Sequence, residues 1–431
     1  MTPPMRVLVV GSGGREHALV WKIAQSPRAE AVHAAPGNAG MRAIARCHPG
    51  LDGSDAEALL ALVRAERLDL VVIGPEAPLA AGLADRLREA GVAAFGPSAA
   101  AARLESSKAW AKDFMARHEI PTARFALFDD LALARDYVRA ADGPCVVKAD
   151  GLAAGKGVSV CDDAAQALQA LEDVMAVRRF GAAGDRVVIE ERLLGEEASY
   201  YAITDGKHVV TLVAAQDHKR ALDGDRGENT GGMGAYAPAP VVDERVEKRI
   251  LEEVVHPTLR GMAQEGHPYT GVLYVGLMID AEGNPRVIEY NVRFGDPETQ
   301  PLLVGLESDL LPLLEGAASG GLEEAAPPNF EGAAVCVVMA SGGYPRAFEK
   351  GLSIQGLEAA GAMPDVVVFH AGTRLGEEGA YVTSGGRVLG VTAHGESVAL
   401  ARDRAYQAVS KIDFEGHHYR GDIAARALSR Q

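Results

Sequence analysis

Apolar and polar positions alternate in blocks along the first hundred residues of the chain. Continuous apolar runs at residues 7–10, 68–73 and 92–95 predict short buried strands. The stretches at 16–25 and 79–90, between these runs, carry the one-sided apolar pattern of helices. Strands that are apolar on both faces and alternate with helices form a parallel sheet that is covered on both sides. The N-terminal part is therefore predicted to be a Rossmann-like α/β unit.

Further along the chain the pattern favours antiparallel hairpins. An apolar strand at 144–148 runs into a glycine loop, and a second strand follows that loop. Two more pairs of apolar runs are joined at residues 205–206 and 282–284, whose Asp-Gly and Glu-Gly-Asn sequences are typical of hairpin turns. Beyond a linker at 323–328, short apolar strands predict a small α+β domain. The expected fold class is therefore a multidomain combination of α/β and α+β parts.

Composition narrows the possible partners. The chain has 431 residues, of which 48% are hydrophobic and 24% charged, and its net charge is -16. No run of Lys and Arg offers the basic stripe that nucleic acid requires, and no apolar stretch is long enough to cross a membrane. We therefore expect neither nucleic acid nor membrane as a partner. The cysteines have no metal-ligand spacing and are expected to be reduced thiols of a cytoplasmic protein: Cys47, Cys145, Cys161 and Cys336.

The first glycine loop joins the first predicted strand to the first helix. Backbone N–H groups of Gly13 and Gly14 at the start of this helix are suited to bind an anion. The loop is a poor dinucleotide fingerprint, because Glu16 occupies the third glycine position and no acidic residue ends the second strand. NAD binding is therefore disfavoured. A tight strand-to-helix turn without a ligand is the alternative interpretation.

The second glycine loop, at residues 148–157, differs from a P-loop. Its spacing is one residue short, Gly157 replaces the Ser or Thr, and a strand follows instead of a helix. Small residues nevertheless let backbone amides approach phosphate, and Lys148 would add a positive charge there. A flexible hairpin tip with solvated lysines is the alternative.

The segment 287–298 carries the most distinctive chemistry. Glu289 and Asn291 lie two residues apart at a predicted strand end, so both side chains project to one face. Such oxygen ligands suit Mg²⁺, which usually keeps phosphate and water in the rest of its shell. Arg293 continues the same face and would stabilise charge on a transferring phosphoryl group or an acyl phosphate. The alternative is a polar edge strand followed by an Asp-Pro turn.

A charged patch at residues 217–220 precedes another glycine stretch at 229–236. Lys219 and Arg220 are suited to hold phosphate or carboxylate. The glycine stretch would close as a lid that protects a labile intermediate from water. An ordinary surface loop is the alternative.

Together these motifs resemble the phosphoribosylamine–glycine ligase (glycinamide ribonucleotide synthetase) family, ATP-grasp enzymes of purine synthesis. The resemblance covers essentially the whole chain and rests on residues 11–18, 35–40, 74–79, 148–157, 216–220, 229–236 and 293–300. It implies a Rossmann-like substrate domain at 1–103, an ATP-grasp domain at 104–325 with a lid subdomain at about 122–193, and a C-terminal domain at 326–431.

The resemblance also implies a reaction and a set of site residues. ATP, glycine and 5-phosphoribosylamine would give glycinamide ribonucleotide, ADP and phosphate through glycyl phosphate, with Mg²⁺ or Mn²⁺ bound by Glu289 and Asn291. The catalytic residues would be Arg293, Lys219 and Asp296. ATP would contact Lys108, Lys148, Gly151, Gly155, Gly157, Glu190, Glu191, Leu193 and Glu197. The other substrates would contact Gly13, Gly14, Arg15, Glu76, Asp217 and Gly295.

Two positions depart from the family pattern. Many ATP-grasp enzymes have an acidic metal ligand on the strand before the metal site, where this chain has residues 276–278, Gly-Leu-Met. Glu228 stands where the family usually has proline, at the entrance to the glycine lid. A different ATP-grasp ligase and a non-catalytic nucleotide-binding regulator remain as alternatives. A stand-alone monomer is expected by analogy with the family.

Overall fold

A computed structural model gives the fold, and the described residues are 3–153 and 157–430, without the side chain of Glu378. The N-terminal unit is a parallel five-stranded sheet in the order β3-β2-β1-β4-β5. Its strands are β1 (Met5–Gly11), β2 (Ala29–Pro36), β3 (Arg46–Cys47), β4 (Leu70–Ile73) and β5 (Ala93–Phe95). Its helices are α1 (Gly14–Ile23), α2 (Ala56–Glu66), α3 (Glu76–Ala80) and α4 (Leu83–Glu89).

The predicted Rossmann-like unit is confirmed, with one difference in its helices. Residues Val7 to Val10 are fully buried between helices on both faces of the sheet, as their continuous apolar run predicted. The single helix predicted at 79–90 is instead divided into α3 and α4. Gly82 adopts a left-handed conformation with φ of 85° between them, which interrupts the helical hydrogen bonds.

The second unit is a four-stranded antiparallel sheet in the order β6-β9-β7-β8. Its strands are β6 (Phe125–Phe128), β7 (Cys145–Ala149), β8 (Val158–Cys161) and β9 (Val187–Glu191). The helices of this region are α5 (Arg103–Ser106), α6 (Lys108–Arg117), α7 (Leu131–Ala141) and α8 (Ala164–Leu171). The predicted hairpin around the second glycine loop is therefore confirmed. After residue 171, α8 changes into a π-helical turn, Glu172–Ala176.

The third unit is a large antiparallel sheet of eight strands in the order β16-β15-β10-β11-β14-β17-β21-β18. Its first strands are β10 (Glu196–Thr204), β11 (Val209–Asp217), β14 (Gly234–Ala237), β15 (Gly271–Ile279) and β16 (Pro285–Asn291). A separate two-stranded ribbon between them consists of β12 (Arg220–Leu222) and β13 (Arg226–Asn229). The helices here are α9 (Glu244–Ile250), α10 (His256–Gln264), α11 (Thr299–Gly305) and α12 (Leu311–Ser319).

The C-terminal part extends this same sheet instead of forming one of its own. Its strands are β17 (Ala333–Ala340), β18 (Val366–His370) and β21 (Arg387–Gly395), with a small pair, β19 (Thr373–Leu375) and β20 (Tyr381–Thr383). Its helices are α13 (Leu357–Gly361), α14 (Val398–Val409) and α15 (Ala425–Leu428). Because β14 pairs with β17, the sheet runs without a break from the central unit into the C-terminal part. The predicted combination of α/β and α+β parts is confirmed.

Three strand ends and one loop meet at the centre of the molecule. The C-terminal ends of β11 and β16, the end of β9 and the loop after β1 all carry residues that the sequence singled out. Short 3₁₀ turns complete the connections at Gly40–Ala43, Gly181–Gly184, Leu322–Glu324 and Glu377–Gly379. None of the described helices combines the length and the apolar character that crossing a membrane requires.

Candidate active site

The end of β16 brings the predicted metal ligands and the predicted catalytic arginine together. Arg293 donates to Asn291 Oδ1 at 3.1 Å and to the Glu105 carboxylate at 2.8 Å. Its Nε also donates to Glu76 at 3.2 Å. Glu76 begins α3, at the carboxyl edge of the parallel sheet, so one guanidinium links two units. Its planar fork is well suited to hold several oxygens at once.

Glu105 was missed by the sequence analysis, although it is among the most buried acids of the site. Its carboxylate accepts from the backbone N–H of Val292 at 2.8 Å as well as from Arg293. Burial raises the pKa of Glu105, in spite of the positive charge of Arg293 beside it. Glu105 therefore fixes the position of the Arg293 guanidinium and is itself held by the backbone of Val292.

Cations surround the Glu289 carboxylate. Burial opposes its ionisation, but the charges of Lys219, Lys108, Lys148 and Arg293 outweigh burial and lower the pKa of Glu289. The carboxylate is therefore ionised at neutral pH. The end of β16 therefore combines an ionised carboxylate with nearby lysine and arginine side chains.

The donor set at Glu289 and Asn291 fits Mg²⁺ that is held mainly by phosphate and water. Both residues offer hard oxygen atoms on one side of the strand. Within residues 3–153 and 157–430, no cluster of three or more His, Cys, Asp or Glu side chains forms a complete metal cage. Gly276 pairs with Glu289 in the sheet and Leu277 is fully buried, so the neighbouring strand supplies no further carboxylate at this point.

Lys148 lies in a buried charged cluster with a second lysine. Its Nζ donates to the Ile288 carbonyl at 2.9 Å and forms a salt bridge of 3.0 Å with Glu190. Lys112 Nζ forms a salt bridge with the same Glu190 oxygen at 3.1 Å and donates to Thr122 Oγ1 at 2.6 Å. The cluster thus holds two cations for one carboxylate. Lys112 was missed, although it lies four residues after Lys108 on α6 and so on a similar face of that helix.

The Lys112 cluster predicts a pH dependence of stability. Burial lowers the pKa of Lys112 to about 8, although Glu190 partly opposes this effect. The unfolded chain then binds more protons than the folded one between about pH 8 and 10.5, so stability rises with pH there. Relative to Lys112→Met, the wild type is expected to gain about 2 kcal/mol between roughly pH 7.5 and 9.5. Denaturant unfolding of both proteins at each pH measures this gain, and an equal pH dependence of the two proteins would contradict it.

The second glycine loop is held against the start of α6. Lys108 Nζ donates to the Gly151 carbonyl at 3.2 Å, and Asp150 accepts from Ser107 Oγ at 3.0 Å. Gly157 lies at the other end of the loop, where its carbonyl accepts from the Ala149 N–H at 2.9 Å. Gly155 lies outside the described residues. Lys108, Lys148 and this loop thus converge on the same side of β16.

The hinge, which is the end of β9 and the connection that follows it, carries Glu191 and Leu193, two of the residues predicted to contact ATP. The Glu191 carboxylate is held by Arg124 and by Arg286, each at 2.8 Å, so its side chain faces away from the cluster at Lys148. Leu193 is half-buried in the short connection to β10. The contacts of Glu191 and Leu193 with ATP stay predictions.

Lys219 is the centre of an acidic neighbourhood. It pairs with Glu197 at 2.8 Å, and the charge of Glu197, together with that of Asp217, raises the pKa of Lys219 despite burial. Burial raises the pKa of Asp217 to about 7, and Glu298 and Glu197 act in the same direction. Glu197, one of the residues predicted to contact ATP, is therefore tied directly to the predicted catalytic lysine.

Glu298 is a second buried acid that the sequence analysis did not assign. Tyr274 donates to its Oε1 at 2.7 Å, and Ser199 Oγ lies 3.4 Å from the same atom. Gly295 lies beside Glu298, and a Cβ atom at Gly295 would meet the Glu298 carboxylate at 2.7 Å. The side-chain hydroxyl of Tyr201 is buried at the same place without a hydrogen-bond partner in the described structure.

The first glycine loop forms the opposite wall of the site. The Gly13 N–H donates to Glu16 Oε2 at 2.6 Å, so Glu16 closes the loop from within. Arg15 pairs with Glu16 and donates to the Phe294 carbonyl at 3.1 Å. A Cβ atom at Gly14 would meet Gln300 Nε2 at 2.6 Å, which explains the need for glycine at this close approach.

Asp296 joins this loop to the C-terminal part. Its carboxylate accepts from Gln300 at 2.8 Å and pairs with Arg387 at 3.1 Å. Burial opposes ionisation, but the positive charges of Arg387 and Arg15 lower the pKa of Asp296. Arg387 was missed by the sequence analysis, because it lies 91 residues away along the chain.

Arg387 also reaches the glycine stretch that was predicted to be a lid. It donates to the Gly231 carbonyl and to the Asp296 carbonyl, both at 2.6 Å. The Thr230 N–H donates to the Lys219 carbonyl at 2.8 Å. The stretch therefore lies over the predicted catalytic lysine.

Glu228, the departure from the family pattern, pairs with Arg346 at 2.7 Å on the surface.

The geometry suits transfer of a phosphoryl group between anions. Lys108, Lys148, Lys219 and Arg293 all act electrostatically on the Glu289 carboxylate at the end of β16, while the first glycine loop and Arg15 form the facing wall. Preorganised cations of this kind stabilise charge that develops during transfer and do not require a protein nucleophile.

Comparison with known proteins identifies the same family along the whole chain. Residues 5–105 match the N domain of phosphoribosylglycinamide synthetase, 106–299 its ATP-grasp (A) domain and 334–426 its C domain. The chain is 53% identical over 427 residues to the phosphoribosylamine–glycine ligase of Pseudomonas aeruginosa, with 99% of each chain covered. It is 50% identical over 432 residues to that of Salmonella typhimurium, with 99% and 100% covered.

Solved structures give the same result. The crystal structure of phosphoribosylamine–glycine ligase from Thermotoga maritima has a TM-score of 0.85 and 38% identity, covering 97% of this chain and 100% of its own. The biotin carboxylase domain of Hydrogenobacter thermophilus 2-oxoglutarate carboxylase, solved with MgADP, has a TM-score of 0.73 at 16% identity and covers 97% and 92%. That second likeness concerns the fold alone. The chain belongs to the phosphoribosylglycinamide synthetase family of ATP-grasp ligases.

Proposed function

We propose that this protein joins glycine to 5-phosphoribosylamine, with ATP converted to ADP and phosphate, and so forms glycinamide ribonucleotide. The observation that carries the proposal is the presence of two cations at the end of β16, where Lys148 donates to the Ile288 carbonyl and Arg293 to Asn291 Oδ1. Relatives named phosphoribosylamine–glycine ligase, about half identical over the full chain, support the choice of substrates.

ATP would lie between the second glycine loop and β16. Lys108 and Lys148 would hold its phosphates, with the backbone of Gly151 and Gly157 beside them. Main-chain groups of Glu191 and Leu193 would contact adenine, and Glu197 would accept from the ribose hydroxyls. Mg²⁺ or Mn²⁺, held by Glu289 and Asn291, would neutralise phosphate charge and orient the γ-phosphate.

The first chemical step forms an acyl phosphate. A carboxylate oxygen of glycine attacks the γ-phosphorus of ATP, and the bond to the departing ADP breaks. Arg293 and Lys219 would stabilise the negative charge of the transferring group, and Asp296 with Gly295 would shape the glycine site. Glu105 and Glu76 hold Arg293 in place for this role.

The second step forms the new amide. The nitrogen of phosphoribosylamine attacks the acyl carbon of glycyl phosphate, and phosphate leaves. Gly13, Gly14 and Arg15 would bind the ribosylamine with Glu76, while Asp217 would face a substrate amino group. The glycine stretch at Thr230 and Gly231, fixed over Lys219 and by Arg387, supports exclusion of water from the acyl phosphate.

The proposed assembly is a monomer in the cytoplasm. All the cysteines, Cys47, Cys145, Cys161 and Cys336, are free thiols, as suits a reducing compartment.

An ADP-release assay with each substrate omitted in turn tests the proposal. With ATP, Mg²⁺, glycine and freshly prepared phosphoribosylamine, ADP should appear only when both glycine and the amine are present. Release with a different acid and amine, and none with this pair, would identify another ATP-grasp ligase. No turnover with any pair would favour a nucleotide-binding regulator.

Replacement of Arg15 should separate the amine site from the ATP site. Arg15→Met removes a cation from the first glycine loop, so the KM for phosphoribosylamine is expected to rise roughly 10- to 100-fold, as for a lost hydrogen bond to a charged group. The Kd for ATP should stay unchanged. Arg6→Met, at the other end of β1, is the matched control and should change neither constant. An unchanged KM for the amine in Arg15→Met would remove this loop from the substrate site.

A further inference from the structure

A pair of cysteines lies at the base of the hairpin that carries Lys148. Cys145 on β7 is the direct cross-strand partner of Cys161 on β8. Both are free thiols and almost fully buried, with 8% and 2% of their surface exposed. The two thiols are close enough for each to shift the pKa of the other, which is lowered for Cys145 and raised for Cys161.

The spacing of such a pair suits a disulfide. Directly opposed residues of antiparallel strands have Cα atoms about 4.5–5.5 Å apart. A disulfide spans Cα atoms about 4.4–6.8 Å apart, so the bond can form with a local shift of the two strands and no change in their pairing. The other cysteines are not placed in this way in the described structure, because Cys47 pairs with Ala34 and Cys336 pairs with Ala235 and Thr392.

The pair is directly connected to the nucleotide side of the site. Three residues along β7 from Cys145 stands Lys148, which reaches Glu190 and the Ile288 carbonyl. On its other edge Cys145 pairs with Glu191 of the hinge. A change in the spacing of β7 and β8 at Cys145 therefore acts on β7, the strand that carries Lys148 and pairs with Glu191 of the hinge.

We propose that Cys145 and Cys161 form a dithiol modification site, which a small disulfide oxidises to an intramolecular disulfide, and that the oxidised protein binds ATP more weakly. The second part rests on the proposed function, since it requires nucleotide binding beside Lys148. The first part depends only on the placement of the two thiols.

The chemistry is thiol–disulfide exchange in two steps. One cysteine thiolate attacks a sulfur of the small disulfide, forms a mixed disulfide and releases one small thiol. The thiolate of the other cysteine then attacks the protein sulfur of the mixed disulfide and releases the second small thiol. In sum, the two cysteine thiols lose two protons and two electrons, and the small disulfide gains them as it is reduced to two thiols.

The bond would tighten the base of the hairpin. Cβ atoms of opposed residues lie about 4.5–5.5 Å apart, whereas a disulfide holds them at about 3.8 Å. The contraction would draw β8 toward β7 and shift the strand that presents Lys148 and flanks the hinge. Displaced cations bind phosphate less well, so the Kd for ATP should rise.

Oxidised glutathione is the probe for the first part. After incubation of the full-length protein, alkylation under denaturing conditions and digestion, mass spectrometry should find a Cys145–Cys161 linked peptide, while Cys47 and Cys336 remain alkylated or carry glutathione. Cys145→Ser and Cys161→Ser should each abolish that peptide, and Cys336→Ser should leave it. Absence of the linked peptide in the wild type, under conditions that oxidise a small dithiol, would overturn the proposal.

ATP binding measured by calorimetry tests the second part. The Kd of the oxidised wild type should rise roughly tenfold and return to its starting value with dithiothreitol. Cys145→Ser/Cys161→Ser should keep its affinity through the same treatment. A linked protein with unchanged Kd would overturn the effect on ATP. If reduced wild type bound no ATP, the proposed function would fail instead, and the linked peptide would still decide the modification site.

Discussion

Glu289→Ala is expected to abolish ligation while the protein stays folded. Glu289 is the ionised carboxylate on which the predicted phosphate-binding cations converge, and it is one of two proposed metal ligands. Its removal takes away the carboxylate whose ionised form these cations stabilise, and leaves the ion with Asn291 alone. A loss of several kcal/mol of charge stabilisation lowers kcat by roughly 10³-fold or more. Initial rates of ADP formation at saturating substrates measure the loss.

The control for this prediction lies at the other end of the same pair of strands. Glu282→Ala removes an exposed carboxylate in the turn between β15 and β16, and its kcat should match the wild type. The unfolding free energy of Glu282→Ala should stay within about 0.5 kcal/mol of the wild type. That of Glu289→Ala should fall, because the lowered pKa of Glu289 means that its ionised form stabilises the fold. Near-normal turnover of Glu289→Ala at saturating Mg²⁺ would show that the wrong ligand has been chosen.

Arg293→Met is expected to damage both activity and stability. The arginine is paired with buried Glu105 and with Glu76, and its own side chain is only 17% exposed. Breaking a buried pair from one side leaves an uncompensated carboxylate and costs about 3–5 kcal/mol. Loss of the cation from the transfer site should also lower kcat roughly 10²- to 10³-fold. Denaturant unfolding and ADP release measure the two effects.

A second substitution separates these two effects. Glu105→Gln combined with Arg293→Met removes the stranded buried charge, so part of the lost stability should return while activity stays low. Burial already raises the pKa of Glu105, which shows how strongly this site disfavours an unpaired carboxylate. If Arg293→Met and the double variant were equally stable, the proposed role of Glu105 as the buried ion-pair partner of Arg293 would be contradicted.

The strands and hairpins were predictable because their signals are local. The continuous apolar run of β1 and the Asp-Gly turn between β10 and β11 each specify structure within a few residues. The division of the helix at Gly82 was missed, because glycine inside a helical pattern does not by itself show a left-handed conformation. The continuity of the central sheet into β17 was also missed, since strand pairing over a long sequence separation leaves no local pattern.

Site residues divide in the same way. Glu289, Asn291 and Arg293 were found because they share one strand end, and the roles given to them remain predictions. Arg387 was missed because its partners, Asp296 and Gly231, come from distant segments that only the fold brings together.

Lys112 and Glu105 were overlooked for a different reason. Each is a charged residue on a mostly buried face, and the hydrophobic pattern does not indicate that such a residue belongs to the site. One signal for Lys112 was available in the sequence. It lies four residues after Lys108, on a helix whose other buried residues are apolar.

Transfer of oxygen from glycine to phosphate tests the central claim most directly. Glycine labelled with ¹⁸O in both carboxylate oxygens is supplied with ATP, Mg²⁺ and phosphoribosylamine, and the inorganic phosphate is analysed by mass spectrometry. If glycyl phosphate forms at the end of β16, each phosphate released should carry one labelled oxygen and the new amide should keep the other. Unlabelled phosphate, released in step with product, would contradict an acyl phosphate intermediate and the account built on it.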